Sequence, residues 1–376
     1  MASIDNRPAI QPSIDVLLLL IGSIAGLVVM ATVFSGNRSF EEAALGSLTA
    51  VHEAQGPQGE NTHCQRINEE DQTAFLEFVS KYASTILFLG NSQTHSINQK
   101  KEGEAVYPEL IQKRLDSIAI LTHSMPNANL QEFLVSHAWW TEQINPEMVV
   151  VPAFMDDLRE DGLRGDFLKS IVSGGYQMET SHPLEVKLNE QLDFLTNPPS
   201  EAGSESKEQT PQDISEAALN DWLSEHTSVW RNRANARGDL FLGLYGFRNK
   251  LFGINASTQR KMIPARYDRN LKALDLLCTR AGENGQRVLV YIPPIRTDVA
   301  PPYDPEEYLN FKRDIESQAQ RHDHVVFANL EDIVPGPLWG LKASTDGSGE
   351  PELDFMHFQF SGHEILANAL IPMLTP

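Results

Sequence analysis

The sequence predicts an α/β fold with a central parallel sheet and helices on both of its faces. Short apolar runs recur along the chain, the stretches between them carry helical spacing, and the two kinds alternate. Phe75, Leu76, Phe78, Val79 and Tyr82 recur at helical intervals and predict a short amphipathic helix. Thr85–Leu89 (TILFL) is a buried-strand run that stops at Gly90. A helix over Ala105–Leu115, a strand at Ile118–Leu121, a helix over Leu130–Thr141 and a strand at Met148–Val151 follow. Two later strands, Arg287–Ile292 and His324–Ala328, flank a helix from Pro305 to Gln320, and a helix from about Ser361 to Leu374 closes the pattern.

A chain of 376 residues has room for one large domain or two ordinary ones, and 41% hydrophobic residues supply a core, which excludes wholesale disorder. The formal net charge of −21 excludes nucleic acid as a partner, because it repels a phosphate backbone; an acidic surface otherwise serves solubility. Cys64 and Cys278 lie far apart and form no C-x-x-C pair, which removes support for a zinc ribbon or a thioredoxin-like site. Outside the cytoplasm the two can form one disulfide; the apolar stretch Leu271–Leu277 beside Cys278 equally suits a buried thiol.

Residues 1–15 form an N-terminal tail. Val16 to Phe34 runs without a charge over the length that a bilayer-spanning helix needs, and is read as a transmembrane anchor. A cleaved signal peptide is the competing reading; it would have a shorter apolar core and a small-x-small cleavage site, whereas this run ends Ala31-Thr32-Val33-Phe34. Arg7 and Arg38 lie on opposite sides, so the flanking charges do not orient the anchor. Residues 35–69 are polar and read as a stalk, and residues 70–376 as the folded domain. An insertion at about 160–265 interrupts it, with a low-complexity segment at 198–213. Within it, Trp222 to Lys261 looks helical and concentrates Arg231, Arg233, Arg237, Arg248, Lys250, Arg260 and Lys261 among dense apolar residues. An inserted helical pair with a solvated charged face is the preferred reading; a lid, or a surface apposed to an anionic membrane or polymer, is the other.

Two short motifs carry chemistry. Gly90-Asn91-Ser92-Gln93-Thr94 places a serine just beyond the first strand, at the carboxyl edge of the sheet where α/β folds keep their sites. Gly90 lets the backbone turn tightly, and the N–H groups of a following helix can face developing negative charge. Alone, such a serine more often caps a helix. Near the far end, Asp354-Phe355-Met356-His357 sets an acid three residues before a histidine. A serine hydroxyl needs a base to become a nucleophile, and the base needs a carboxylate to fix its tautomer. Asp-x-x-His in a loop can fold the carboxylate onto Nδ1 and leave Nε2 for the serine.

Together with the α/β order, Gly90-Asn91-Ser92 and Asp354-x-x-His357 resemble the SGNH (GDSL-like) hydrolase superfamily over roughly residues 84–376, with Asn91 in place of the usual acid. The resemblance implies a three-layer flavodoxin-like fold, ester chemistry and a catalytic triad of Ser92, His357 and Asp354. With the N-terminal anchor, the Tyr291-Ile292-Pro293-Pro294 strand end and the Phe-rich terminal motif, it is most similar to the membrane-anchored branch that includes relatives of the D-alanyl transfer protein and of the alginate acetylation proteins. That branch works outside the cytoplasm on envelope polymers. The implied substrates are therefore acyl esters, acetyl above all, of an envelope polysaccharide or polymer. The implied partners are that polymer, the membrane itself and a membrane-bound acyltransferase.

The resemblance also assigns an oxyanion and substrate-binding set: the N–H of Ser92, with Asn127, or its rival Asn129, at the place of the usual glycine. Asp156 stands where the superfamily has an asparagine. An ionised carboxylate repels an oxyanion and can donate only when protonated. This departure favours the alternative of a catalytically weak accessory protein beside a membrane acyltransferase. The reaction calls for no cofactor and no metal, and His363-Glu364-Ile365-Leu366-Ala367 lacks the second histidine of a zinc motif. His95 reads as a helix-face residue, His363 as the start of a helix, and Trp139-Trp140 as core.

Overall fold

The computed structural model describes residues 48–65, 69–164, 167, 176–196, 248–345 and 350–375. The apolar segment 16–34, the low-complexity segment 198–213 and the basic residues Arg231, Arg233 and Arg237 lie outside the described residues.

Six parallel strands form the central sheet, in the order β2-β5-β3-β6-β7-β8. They are β2 (His63–Cys64), β3 (Ser84–Gly90), β5 (Ile118–Ser124), β6 (Met148–Pro152), β7 (Arg287–Ile292) and β8 (Val325–Asn329). Counted from β3, the last five run 2-1-3-4-5, the doubly wound order whose switch point lies between β3 and β6. All five strands expected from apolar runs are present. Alternation within each strand divides the core in two. Leu87 and Leu89 face one layer, built from α1 (Glu69–Val79), α4 (Leu130–Ile144), α5 (Pro183–Thr196), α6 (Pro264–Glu283) and α7 (Pro305–Ala319). Ile86 and Phe88 face the other, built from α3 (Tyr107–Gln112) and α8 (Phe360–Leu374). The sequence marks where helices begin. Asn129 caps α4 in a capping box with Glu132, and Asp304 caps α7 ahead of Pro305.

Two small antiparallel pairs lie outside the sheet. β1 (Thr49–Val51) pairs with β4 (Ser96–Asn98), and β9 (Trp339–Lys342) pairs with β10 (Glu352–Phe358). These correct two expectations. Residues 48–65, assigned to the stalk by their polarity, pack onto the domain: β1 completes β4, and His63 and Cys64 are buried along β5. Two or three residues are too few to show a period. The Asp354–His357 motif lies on β10 rather than in a loop. Its register with β9 breaks between Leu353 and Phe358, so the motif occupies the irregular stretch. Cys64 and Cys278 are both buried and not bridged to each other, and burial pushes the Cys278 thiol up to about 12.

Candidate active site

β3 ends at Gly90, and the chain turns through Asn91 into the four-residue helix α2 (Ser92–His95). Asn91 caps it, its side-chain oxygen accepting from Gln93 N–H at 3.1 Å. Gly90 is required by close approach: a Cβ there would lie 2.1 Å from Thr94 Oγ1. Thr94 is itself held by Tyr107 Oη at 3.1 Å, which also meets Tyr291 Oη at 3.1 Å. Ser92 therefore stands half-buried at the carboxyl edge of β3, on the first turn of a short helix whose Gln93 and Thr94 N–H groups are both taken by Asn91.

The structure brings Ser92, His357 and Asp354 together. Ser92 Oγ lies 2.9 Å from His357 Nε2, and His357 Nδ1 lies 3.0 Å from Asp354 Oδ2. Asp354 is buried and fully engaged. Its Oδ1 accepts from the N–H groups of Met356 and His357, at 2.9 and 3.0 Å, and its Oδ2 also accepts from Asn98 Nδ2 at 3.3 Å. Burial raises this carboxyl, but the facing imidazole and the two N–H donors outweigh burial and hold it at about 2. A permanent carboxylate on Nδ1 keeps the imidazole proton there and leaves Nε2 as the acceptor facing the serine hydroxyl.

The other predicted residues separate. Asn127 sits exposed with φ of 53° in the turn after β5, a turn tied to the serine loop by Met125 N–H donating to Gly90 O at 3.1 Å. Asn129 is corrected as a substrate contact: it is buried, its oxygen caps Gln131 and Glu132, and its nitrogen donates to Gly162 O at 2.9 Å. Asp156 is corrected as a donor. Its oxygens accept from Arg260, from Arg159 Nη1 at 3.2 Å and from Tyr303 Oη at 3.1 Å, so both are taken up by neighbouring side chains. His95 is buried, with Nδ1 2.8 Å from Ser124 Oγ and its ring stacked on His63. His363 lies in the first turn of α8. Its Nδ1 accepts from Tyr107 N–H at 3.3 Å, so Nε2–H donates to Ser96 O at 3.1 Å, and burial lowers it to about 3. Trp139 and Trp140 are core.

Three residues at the site carried no signal in the motifs. Gln93 is buried and its amide nitrogen donates to Pro294 O at 2.9 Å and to Met356 O at 2.7 Å. Asn98 ties Asp354 to β9 through Leu341 O at 2.8 Å. Asp157 is buried with both oxygens 3.2 Å from Asn91 Nδ2, and burial pushes its carboxyl well up despite that hydrogen bond. Among the described residues no group of three or more His, Cys, Asp and Glu side chains converges as a metal site.

No protein-family profile matches the chain, and no curated protein sequence does. Among solved structures it is similar to Axe2, an acetylxylan esterase from Geobacillus stearothermophilus, with a TM-score of 0.38 at 10% identity over 77% of this chain and 94% of that one. It is similar at the same 10% identity to LAE5, an alpha/beta hydrolase enzyme from the metagenome of Lake Arreo, Spain, with a TM-score of 0.37 over 78% and 98% of the two chains.

Proposed function

We propose that the protein is a serine-dependent esterase or O-acyltransferase of the SGNH type, with Ser92 as nucleophile, His357 as base and Asp354 as its orienting carboxylate. The carrying observation is the continuous contact from Ser92 Oγ through the imidazole to Asp354, at 2.9 and 3.0 Å. In the proposed reaction Ser92 Oγ attacks the ester carbonyl while Nε2 takes its proton. The tetrahedral intermediate then expels the alcohol, which leaves with that proton, and an acyl-Ser92 ester remains. Water, or a polymer hydroxyl, attacks the acyl group with Nε2 again as base and Ser92 as leaving group. The N–H of Ser92 is the proposed oxyanion donor, with the Asn127 turn alongside. The reading includes an anchor at residues 16–34, a catalytic domain outside the cytoplasm, and acetyl esters of an envelope polysaccharide as substrates. It rests for these on the charge-free apolar run and on the resemblance of the motifs.

Asp156, whose oxygens accept from Arg260, Arg159 and Tyr303, favours the second reading, an accessory protein with little turnover of its own. A fluorophosphonate probe and nitrophenyl acetate separate the two. Labelling and turnover that vanish in Ser92→Ala support the enzyme, and an unlabelled wild-type chain supports the accessory.

A further inference from the structure

Residues 248–267 contain Arg248, Lys250, Arg260, Lys261 and Arg266 and no aspartate or glutamate, in a chain with 30 basic and 51 acidic residues. Near the start of this segment Leu251 and Phe252 stand side by side, 67% and 69% exposed. Gly253, with φ of 63°, then turns the chain away, and Ile263 is exposed farther along. Lys250, next in sequence to Leu251, is exposed, and so is Lys261 farther along the segment. Large apolar side chains standing in water among lysines and arginines have the composition of a bilayer contact: the apolar groups enter the acyl boundary and the cations meet lipid phosphates. Acidic side chains also touch the segment, Asp156 at Arg260, Glu307 at Met262 N–H and Glu352 at Ala256 N–H, so the attraction falls to the exposed Lys250 and Lys261, acting within a Debye length of about 8 Å at physiological salt.

The segment rides on the hairpin that carries the site. Asn249 Nδ2 donates to Thr345 O at 2.9 Å, and Ala256 N–H to Glu352 Oε2 at 2.7 Å. The same hairpin receives Asn98, which pairs in register with Thr49. The chain thus enters the fold at Leu48 beside the elements on which the patch rests. From Phe34 to Leu48 is 14 residues, a tether of at most about 50 Å even when fully extended.

We propose that Leu251 and Phe252, flanked by Arg248 and Lys250 and helped by the exposed Lys261 of the same segment, dock the domain on an anionic lipid bilayer and turn the β9–β10 hairpin, with His357, toward it. The position of the bilayer near Leu48 rests on the anchor reading above; the chemistry of the patch does not. A single apolar segment joined to a basic, aromatic contact makes two membrane signals, and the second one fixes orientation.

The full-length chain is reconstituted into phosphatidylcholine vesicles with and without phosphatidylglycerol at about 30%, the anionic share that gives the patch its partner. An environment-sensitive fluorophore is attached through Phe252→Cys, Cys64 and Cys278 being buried, and in a second chain through Leu309→Cys on the exposed side of α7. Brominated acyl chains are expected to quench the label at 252 at least about twofold in the anionic vesicles, less so at high salt or with Lys250→Gln and Lys261→Gln, while the label at 309 stays unquenched. Equal exposure of the two labels to water in both vesicle types overturns the proposal. A carbonate wash reads the anchor separately: if it strips the chain from the vesicles, the anchor reading fails while the label at 252, read before the wash, still decides the patch. Ester turnover by the same vesicles, with Ser92→Ala as control, reports on the catalytic reading independently.

Discussion

Across 263 positions of sequence, the amide of Gln93 donates to the carbonyl of Met356 at 2.7 Å. Its second hydrogen goes to Pro294 O, so one side chain joins the serine helix, the end of β7 and the strand of the histidine. Gln93→Met keeps the length and removes both bonds, leaving two inward carbonyls without this donor at a cost of about 1–3 kcal/mol. The expected outcome is a folded protein whose kcat falls tenfold or more, in rough proportion to the misplacement of Nε2, with KM unchanged. Steady-state kinetics beside circular dichroism checks it; wild-type kcat would show that the link positions nothing.

Asp354→Asn tests the carboxylate. Oδ1 accepts two backbone N–H groups, so the amide oxygen is kept there and the new NH2 faces His357 Nδ1 and Asn98 Nδ2. That forces the imidazole proton onto Nε2, pointing at Ser92. On the proposed mechanism kcat falls by roughly 10³–10⁴. Retention of more than a tenth of the turnover would remove Asp354 from it.

Stability should decline on mild acidification. Burial lowers His123 and His137 to about 4, His363 to about 3, and His63 well below its ordinary value. Each stays neutral in the folded chain while its unfolded counterpart takes a proton below about 6.5. Their stabilising contribution is therefore full above that pH and withdraws as pH falls, by up to about 1.4 kcal/mol per pH unit for each. Asp354 acts lower down: depressed to about 2, its contribution is full above the ordinary carboxylate range and is lost as pH falls toward that value. Denaturant titrations at pH 7.5, 6 and 5, chosen to bracket the histidine step, check this; a flat profile contradicts it.

Arg164 donates to the buried Glu132 carboxylate through Nε and Nη2 and to Pro126 O through Nη1, bracing the turn that holds Asn127. Arg164→Met leaves that carboxylate with its backbone partners alone. The expected loss is roughly 2 kcal/mol or more, read as a lowered denaturation midpoint. No change in midpoint would place the brace elsewhere.

β3, β5, β6 and β7 were legible because each is a short apolar run buried along nearly its whole length, as in Thr85–Leu89 and Arg287–Ile292; β8 was legible from its apolar residues although Val326 is exposed, and the two-residue β2 was not legible. β9 and β10 were not, since half-exposed residues such as Leu341 and Met356 break any simple run. α6 buries Leu274, Leu277, Cys278 and Ala281 at helical spacing, yet its charged opposite face merges with the basic segment before it. Ser92, Asp354 and His357 stood out because the proposed reaction would need those residue types in that local order. Gln93 reaches Met356 O and Asn98 reaches Leu341 O, each more than 240 positions away, and no local pattern records such contacts.

The hydroxyl at 92 stands on the helix that follows β3 of the main sheet, and the imidazole at 357 on a hairpin outside that sheet. On the proposed mechanism a growing chain carries an inert hydroxyl through most of its synthesis, because no base exists until the distal hairpin has emerged and closed. A chain cut before Glu352 should leave a fluorophosphonate unreacted. Exposure of unprotected esters to a half-made protein would then carry no chemical risk.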